Sequence, residues 1–314
     1  MRKILLTMLV TSLLWADSAA ARLQIFACEP EWGALASELG GELVSVFTAT
    51  TAQQDPHHIQ ARPALIAQLR RADLAICTGA ELEAGWLPML QRRANNPRTA
   101  PGSLGFLEAA AQVELLERPQ RLDRADGDVH ASGNPHLHLD PRNIARVAAA
   151  LSQRLIALDP GNADAYRRRG EDFQQRWQAA IATWEQRARP LQGMRIVVAH
   201  NDWVYLERWL GLQRIAALEP RPGIPPSSGH LATVLAKVQQ EGATAVLYAA
   251  YQDRRPADWL AARSPVQPLR LPYTVGGSQR ATDLFGLFDE TIDLLLEALH
   301  CAHPAWSGPS SLLP

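Results

Sequence analysis

The sequence predicts an α/β fold of two lobes, each with a parallel sheet, joined by a long α-helix. Three observations carry that expectation. Short apolar runs alternate with helix-period segments on both sides of the middle of the chain. Between the two sets stands a charged, mostly uninterrupted helical stretch from Asn162 to Arg187. The length, 314 residues, suits two domains at roughly 100–200 residues each.

The elements follow in order. Leu23 to Cys28 reads as a short buried strand. Trp32 to Leu39 has helical periodicity and stops at Gly40-Gly41. Leu43 to Thr48 reads as a second strand, Arg62 to Arg71 as an amphipathic helix and Leu74 to Cys77 as a third strand. Leu82 to Arg93 reads as a helix with Leu82, Trp86, Met89 and Leu90 on its apolar positions. Residues 121–134 carry Asp123, Asp126, Gly127, Asp128, His130 and Gly133 with almost no large apolar side chain, which predicts a mobile acidic loop. Pro141 opens a helix running through Ile156. In the long helix Tyr166, Phe173, Trp177 and Ile181 share a face, Asn162 is the expected N-cap, and Pro190 and Gly193 end the stretch. A second α/β set begins at Met194 to Ala199 and continues with strands near Arg214 to Leu218, Ala245 to Tyr248 and Pro268 to Leu271. The expected organisation is a Rossmann-like lobe over 22–160, a linker helix over 161–192 and a second such lobe over 193–314. No short internal repeat is visible.

Composition narrows the function. The chain is 47% hydrophobic and 20% charged, with a formal net charge of −1, so no basic excess is available to hold nucleic acid. Arg2 and Lys3 precede an apolar run from Ile4 to Trp15, and Asp17-Ser18-Ala19-Ala20-Ala21 then offers small residues where a signal peptidase cuts. A secretory signal over 1–21 is expected, since the apolar run is shorter than the ~20 residues of a membrane span. That places the mature chain in the periplasm. Cys28 and Cys77 both end strand-like runs and either pair in an oxidising compartment or stay as buried thiols; Cys301 is left over.

Four places carry side chains suited to chemistry. Asp55-Pro56-His57-His58 follows the second strand. Asn134-Pro135-His136-Leu137-His138-Leu139-Asp140-Pro141 leads into a helix. His200 ends the Met194 to Ala199 strand, and Asp283 follows the Gly276-Gly277 turn. Ligands of open parallel sheets bind beyond the carboxyl ends of strands, and two candidates come from each lobe. One site in the cleft between the lobes would then gather His57, His136, His200 and Asp283. Three imidazoles and a carboxylate make a tetrahedral shell that suits Zn²⁺, whereas Ca²⁺ and Mg²⁺ want oxygen throughout. Taken alone, Asp283 also reads as a helix N-cap, because Leu284 begins an apolar run.

These motifs resemble the metal-binding solute-binding proteins of ABC transporters, the TroA-like or ZnuA-like family, and are most similar to its zinc-specific AztC type. The resemblance covers essentially the whole mature chain. Asp55-Pro56-His57 with Pro63 matches the turn of the family's first ligand. Pro135-His136 with Asp140-Pro141 matches the second, and Val197-Val198-Ala199-His200 before Trp203 and Tyr205 matches the third. Asp283 matches the late acidic fourth ligand. Manganese members usually place a Glu at the third position, so His200 favours zinc. His138 stands where a Trp is common, and the 121–134 loop is acidic with one His where many zinc members carry a His-rich run.

The resemblance implies a high-affinity protein that captures one Zn²⁺ as transported ligand and delivers it to the membrane permease of an ABC transporter. A monomer is expected, without nucleic acid, and with a periplasmic zinc donor as a further partner. Asp126, Asp128 and His130 are candidates for receiving the metal, the alternative being a solvated linker. Four protein ligands would close the shell, whereas a catalytic zinc keeps a position for water; no enzymatic activity is therefore expected. The alternatives are a zinc-dependent hydrolase built on His136-Leu137-His138 with Asp140, a manganese-specific protein of the same fold, a protein for a small organic solute with structural histidines, and a surface adhesin on the same fold. Proton competition at the imidazoles predicts affinity falling below about pH 6.

Overall fold

The computed structural model describes residues 22–119 and 130–302. The expected leader over 1–21, and Asp126 and Asp128, lie outside the described residues. No helix among the described residues is long and apolar enough to cross a membrane.

Two four-stranded sheets form, both wholly parallel. The first has the order β2-β1-β3-β4, with β1 at Leu23–Ala27, β2 at Val44–Thr48, β3 at Leu74–Cys77 and β4 at Phe106–Glu108. The second has the order β6-β5-β7-β8, with β5 at Arg195–Val198, β6 at Gln213–Ala217, β7 at Ala245–Tyr248 and β8 at Gln267–Arg270. The first strand of each set lies second in its sheet, the next strand pairs on one side, and the following two build out on the other. The lobes thus repeat one topology that the sequence, lacking any visible internal repeat, conceals. Topology depends on the order of apolar runs, which both halves share, and not on residue identity.

Side-chain alternation sorts each strand between two cores. Ile25 and Ala27, Leu74 and Ile76, and Ile196 and Val198 face a central core shared by both lobes. Phe26, Ala75 and Cys77 face an outer core of the first lobe, and Val197 and Val246 an outer core of the second. A period of two, with both faces covered by apolar side chains, is what a buried parallel sheet requires. Cys28 and Cys77 form a disulfide, Cα–Cα 4.8 Å, at the carboxyl ends of the neighbouring strands β1 and β3. Of the two readings open from the sequence, the paired one holds. Cys301 is exposed.

The long helix is α5, Ala163–Arg187. Its 25 residues span roughly 37 Å at ~1.5 Å per residue. It buries Tyr166, Gly170, Phe173, Trp177, Ile181 and Trp184 along one face. That face packs on α4 (Pro141–Leu158) and on α9 (Leu284–Ala302). Phe173 and Trp177 stack at 5.2 Å between ring centroids, and Trp177 meets Phe285 at 4.8 Å and Phe288 at 5.6 Å. The Trp177 indole N–H donates to the Pro141 carbonyl at 2.8 Å, and that of Trp184 to Asp289 at 2.9 Å. Arg187 adds ion pairs to Asp289 and Asp293. Since α4 precedes the long helix and α9 closes the second lobe, one aromatic ridge fixes the lobes to each other and limits hinge motion.

Several boundaries differ from expectation. The helix expected over Leu82 to Arg93 begins only at Leu87 and runs to Ala94 as α3. Residues 82–86 form turns instead of helix, Trp86 takes the non-helical φ −140°, and Pro88 suits the first turn of the later start. Asn162 makes no capping bond; its amide donates to Asp159 at 2.8 Å instead. The strand β4 was not anticipated, because three residues give no readable period.

The shared core makes Trp177 a load on which both lobes rest. Trp177→Ala is expected to destabilise the protein by about 3–5 kcal/mol. Denaturant unfolding followed by tryptophan fluorescence and far-UV circular dichroism measures it, and a change below about 1 kcal/mol would contradict the role given to this ridge.

Candidate metal centre

Three loops bring histidines to the cleft. His57 lies between β2 and α2 (Pro63–Arg71), His136 at the entry to the single turn before α4, and His200 two residues past the end of β5. All three are buried, at 8%, 1% and 7% exposure. One ligand nitrogen from each falls within 4.8 Å of the others. Ring centroids are 5.4 Å apart for His57 and His136, and 5.8 Å for the two pairs with His200. Small ring rotations would set three bonds of about 2.0–2.1 Å on one Zn²⁺.

Each ring is held by its other nitrogen. Asp55 accepts from or faces His57 Nδ1 at 2.8 Å and also takes the His57 backbone N–H at 3.0 Å. Glu219 lies 2.7 Å from His200 Nδ1, and the Tyr273 hydroxyl 2.7 Å from His136 Nδ1. With every Nδ1 engaged, Nε2 is the nitrogen each ring offers to the cleft. His57 Nε2 is buried with no hydrogen-bond partner, a costly state that an ion relieves. Partners behind metal-binding imidazoles fix the tautomer and raise ligand basicity.

Local sequence explains these placements. Asp55-Pro56-His57 is a tight turn in which the aspartate caps the backbone two residues on. Asn134 does the same for His136, accepting its N–H at 3.0 Å. Tyr273 sits at φ 58°, a strained conformation for a bulky residue. The Gly276-Gly277 turn folds back over it, and any side chain at Gly277 would collide with the Pro272 carbonyl. Thr274 donates to Glu31 at 2.5 Å, and His138 lies 3.3 Å from Glu31 and 3.0 Å from the Tyr273 carbonyl. A buried polar chain from the first lobe therefore pins the Tyr273 segment of the second.

Proton affinities differ across the triad. Burial, followed by the neighbouring imidazoles of His57, His200, His130 and His138, holds His136 well below its usual value. Burial also depresses His200, but the hydrogen bond to Glu219 and the carboxylates of Asp202, Glu219 and Asp55 outweigh it, and its pKa is raised. Burial raises Asp55, yet its bonds to His57 and the charges of His57 and His58 win and lower it. Asp202 is fully buried beside His200, and burial pushes it up to about 7.

Asp283 does not join the triad. It is exposed and accepts the Gly286 N–H at 2.7 Å, which makes it the N-cap of α9. The cap occurs because an aspartate directly before Leu284 satisfies an otherwise unbonded helix N–H. Asp283 lines a surface groove with first-lobe residues that include Pro30, Gly33, Thr48 and Thr50, and none of the three histidines is part of it. His138 is held by Glu31 and the Tyr273 carbonyl, and Asp140 caps α4 and pairs with Arg142 at 2.7 Å. The His136, His138 and Asp140 trio is therefore not assembled around one point. His58 is exposed, and His230 bonds the Ala217 carbonyl at 3.0 Å.

Glu219 and Tyr273 escaped the sequence reading. Glu219 lies two residues past β6 and Tyr273 three past β8. The strand-end rule that found His200 points to both once the boundaries of those strands are known.

The fold and the triad define a two-lobed α/β protein whose cleft gathers three buried imidazoles that could hold a metal ion. The family model described as "Zinc-uptake complex component A periplasmic" matches residues 25–298, and the chain belongs to that ZnuA family of substrate-binding transport proteins. It is 27% identical over 255 residues to the high-affinity zinc uptake system protein ZnuA of Paracoccus denitrificans (strain Pd 1222), covering 71% of this chain and 75% of that one. It is 21% identical over 252 residues to the manganese ABC transporter substrate-binding lipoprotein PsaA of Streptococcus pneumoniae, covering 77% and 76%. A crystal structure of ZnuA superposes with a TM-score of 0.70 at 21% identity, over 90% of this chain and 98% of that one, which supports the shared fold.

A zinc ion bound at His200 would compete with a proton there, so affinity is expected to fall as pH drops through the raised His200 pKa. The onset is thus expected nearer neutrality than pH 6, with about one proton released per zinc there. Glu219→Gln should move the onset to lower pH and weaken binding at pH 8 by roughly 10–100-fold. Competition titrations across about pH 5–8 test both; an unchanged profile in Glu219→Gln would remove Glu219 from the site.

Proposed function

We propose that this chain is the periplasmic zinc-binding component of an ABC uptake system, capturing one Zn²⁺ in the cleft and delivering it to the membrane permease. The observation that carries the reading is the buried triad of His57, His136 and His200, each ring fixed from behind. Imidazole nitrogens suit zinc better than manganese, whose sites are richer in oxygen. The chain acts as a monomer after its leader is removed, and it binds without turnover. The hydrolase alternative needs His136, His138 and Asp140 on one ion, and the last two are engaged elsewhere.

Purified protein is expected to carry one tightly held zinc per chain and to prefer zinc in competition with manganese. His57→Ala, His136→Ala and His200→Ala should each weaken binding at least ~10-fold. Asp283→Ala should leave affinity nearly unchanged and cost about 0.5–2 kcal/mol of stability through the lost cap. Metal analysis by mass spectrometry and isothermal titration measure this. Full affinity in all three histidine variants would refute the reading.

Asp126, Asp128 and His130 are proposed to help receive zinc, from the free ion or from a periplasmic donor protein. Deleting 123–132 should slow loading. Stopped-flow loading at an unchanged rate, from both sources, would show the segment to be a plain linker.

A further inference from the structure

A zinc ion on three imidazoles lacks one of the four ligands of a closed tetrahedral shell. Asp283 does not supply it. Among the described residues, apart from Asp55 and Glu219 behind the rings, the side chains near the triad include those of Tyr273, Asp202, His58 and His130. The Tyr273 hydroxyl is turned to the rear nitrogen of His136. Asp202 is buried with one oxygen on Gln252 at 2.7 Å, and neither it nor His130 is among the groups whose ligand atoms converge with the triad. His58 is exposed, its ring 6.2 Å from that of His57.

His130 differs from these. Its ring centroid is 5.3 Å from that of His57 and 6.4 Å from that of His136. The triad's own separations run from 5.4 to 5.8 Å, so this imidazole stands at the triad spacing from His57 and somewhat farther from His136. Its backbone is anchored. The His130 carbonyl accepts the Gly133 N–H at 3.2 Å, closing a turn. Ser132 donates to Glu81 of the first lobe from its N–H at 3.1 Å and its hydroxyl at 2.7 Å. Asn134 donates to the Asn201 carbonyl of the second lobe at 2.8 Å. Gly133 takes φ 121°, and a Cβ there would meet the Leu116 carbonyl at 2.8 Å, so glycine alone closes the turn. The turn is therefore tied to both lobes at the mouth of the cleft, and holding His130 over the triad costs little further ordering.

We propose that His130 is the fourth ligand of the zinc ion held by His57, His136 and His200. The inference rests on the reading of the triad as the zinc site. The shell is then four imidazoles with no charge of its own, balanced by Asp55 and Glu219 behind the rings. Nitrogen-only coordination disfavours manganese further. His130 is half-buried where the other three are buried, which makes it the ligand an entering ion meets and a leaving ion sheds first.

The test compares full-length His130→Ala, Asp202→Asn and His57→Ala with the parent, each first checked for parental circular dichroism. Zinc-edge X-ray absorption counts imidazoles around the loaded ion, and competition titration gives affinity. The parent is expected to show four imidazoles and His130→Ala three, with affinity at least ~10-fold weaker. His130→Asp should restore part of the affinity through an oxygen ligand. Unchanged coordination and affinity in His130→Ala, while His57→Ala loses binding, would overturn the proposal and leave the triad intact as the zinc site. A change in coordination on Asp202→Asn and none on His130→Ala would assign the fourth position to Asp202. Retained binding in His57→Ala would instead refute the zinc-site reading itself.

Discussion

Three imidazoles converge on one point only if each ring is held from behind, because a histidine side chain left to itself rotates about two bonds. Asp55, Glu219 and Tyr273 do this for His57, His200 and His136. Each partner reaches the cleft from a different strand end or turn. Hence the two sheets must face each other with carboxyl ends together, and the lobes must keep that relation. The metal centre is in this sense a constraint on the whole molecule.

The restraint on lobe motion has a visible source. The central core is continuous from β1 through α5 to β5 and α9, and the aromatic side chains of α5 pack between helices of both halves. A continuous core of this kind opposes a wide hinge between the lobes. The buried chain from Glu31 through His138 and Thr274 to the Tyr273 segment crosses between the lobes. Because the Tyr273 hydroxyl also bonds His136, a shift of one lobe against the other reaches the His136 ring.

The charges around the site favour holding a cation. Asp55 and Glu219 lie against rings, and Asp202 is buried near His200. In the absence of metal these carboxylates raise the proton affinity of His200; with metal bound they balance its charge. The same carboxylates would thus favour either a proton or a zinc ion at His200, and the two would compete for one stabilised position.

Much of this was legible in the sequence. Alternating apolar runs fixed the α/β class, the break at Pro190 and Gly193 separated the halves, and the strand-end positions of His57 and His200 marked the cleft, because periodicity and turn chemistry are local properties. The start of α3 was misplaced because the turns over residues 82–86 leave no trace in apolar spacing. Asp283 shows the limit most clearly: its neighbours in sequence support both a ligand and a helix cap, and only the folded chain turns it away from the triad to Gly286. Glu219, Tyr273 and His130 meet the other histidines across separations that sequence spacing does not encode. The sequence alone determined the elements and three of the histidines at the site. Tertiary structure decided which groups stand behind them and that the His130 ring, not Asp283, lies beside them, since those contacts exist only once the chain has packed.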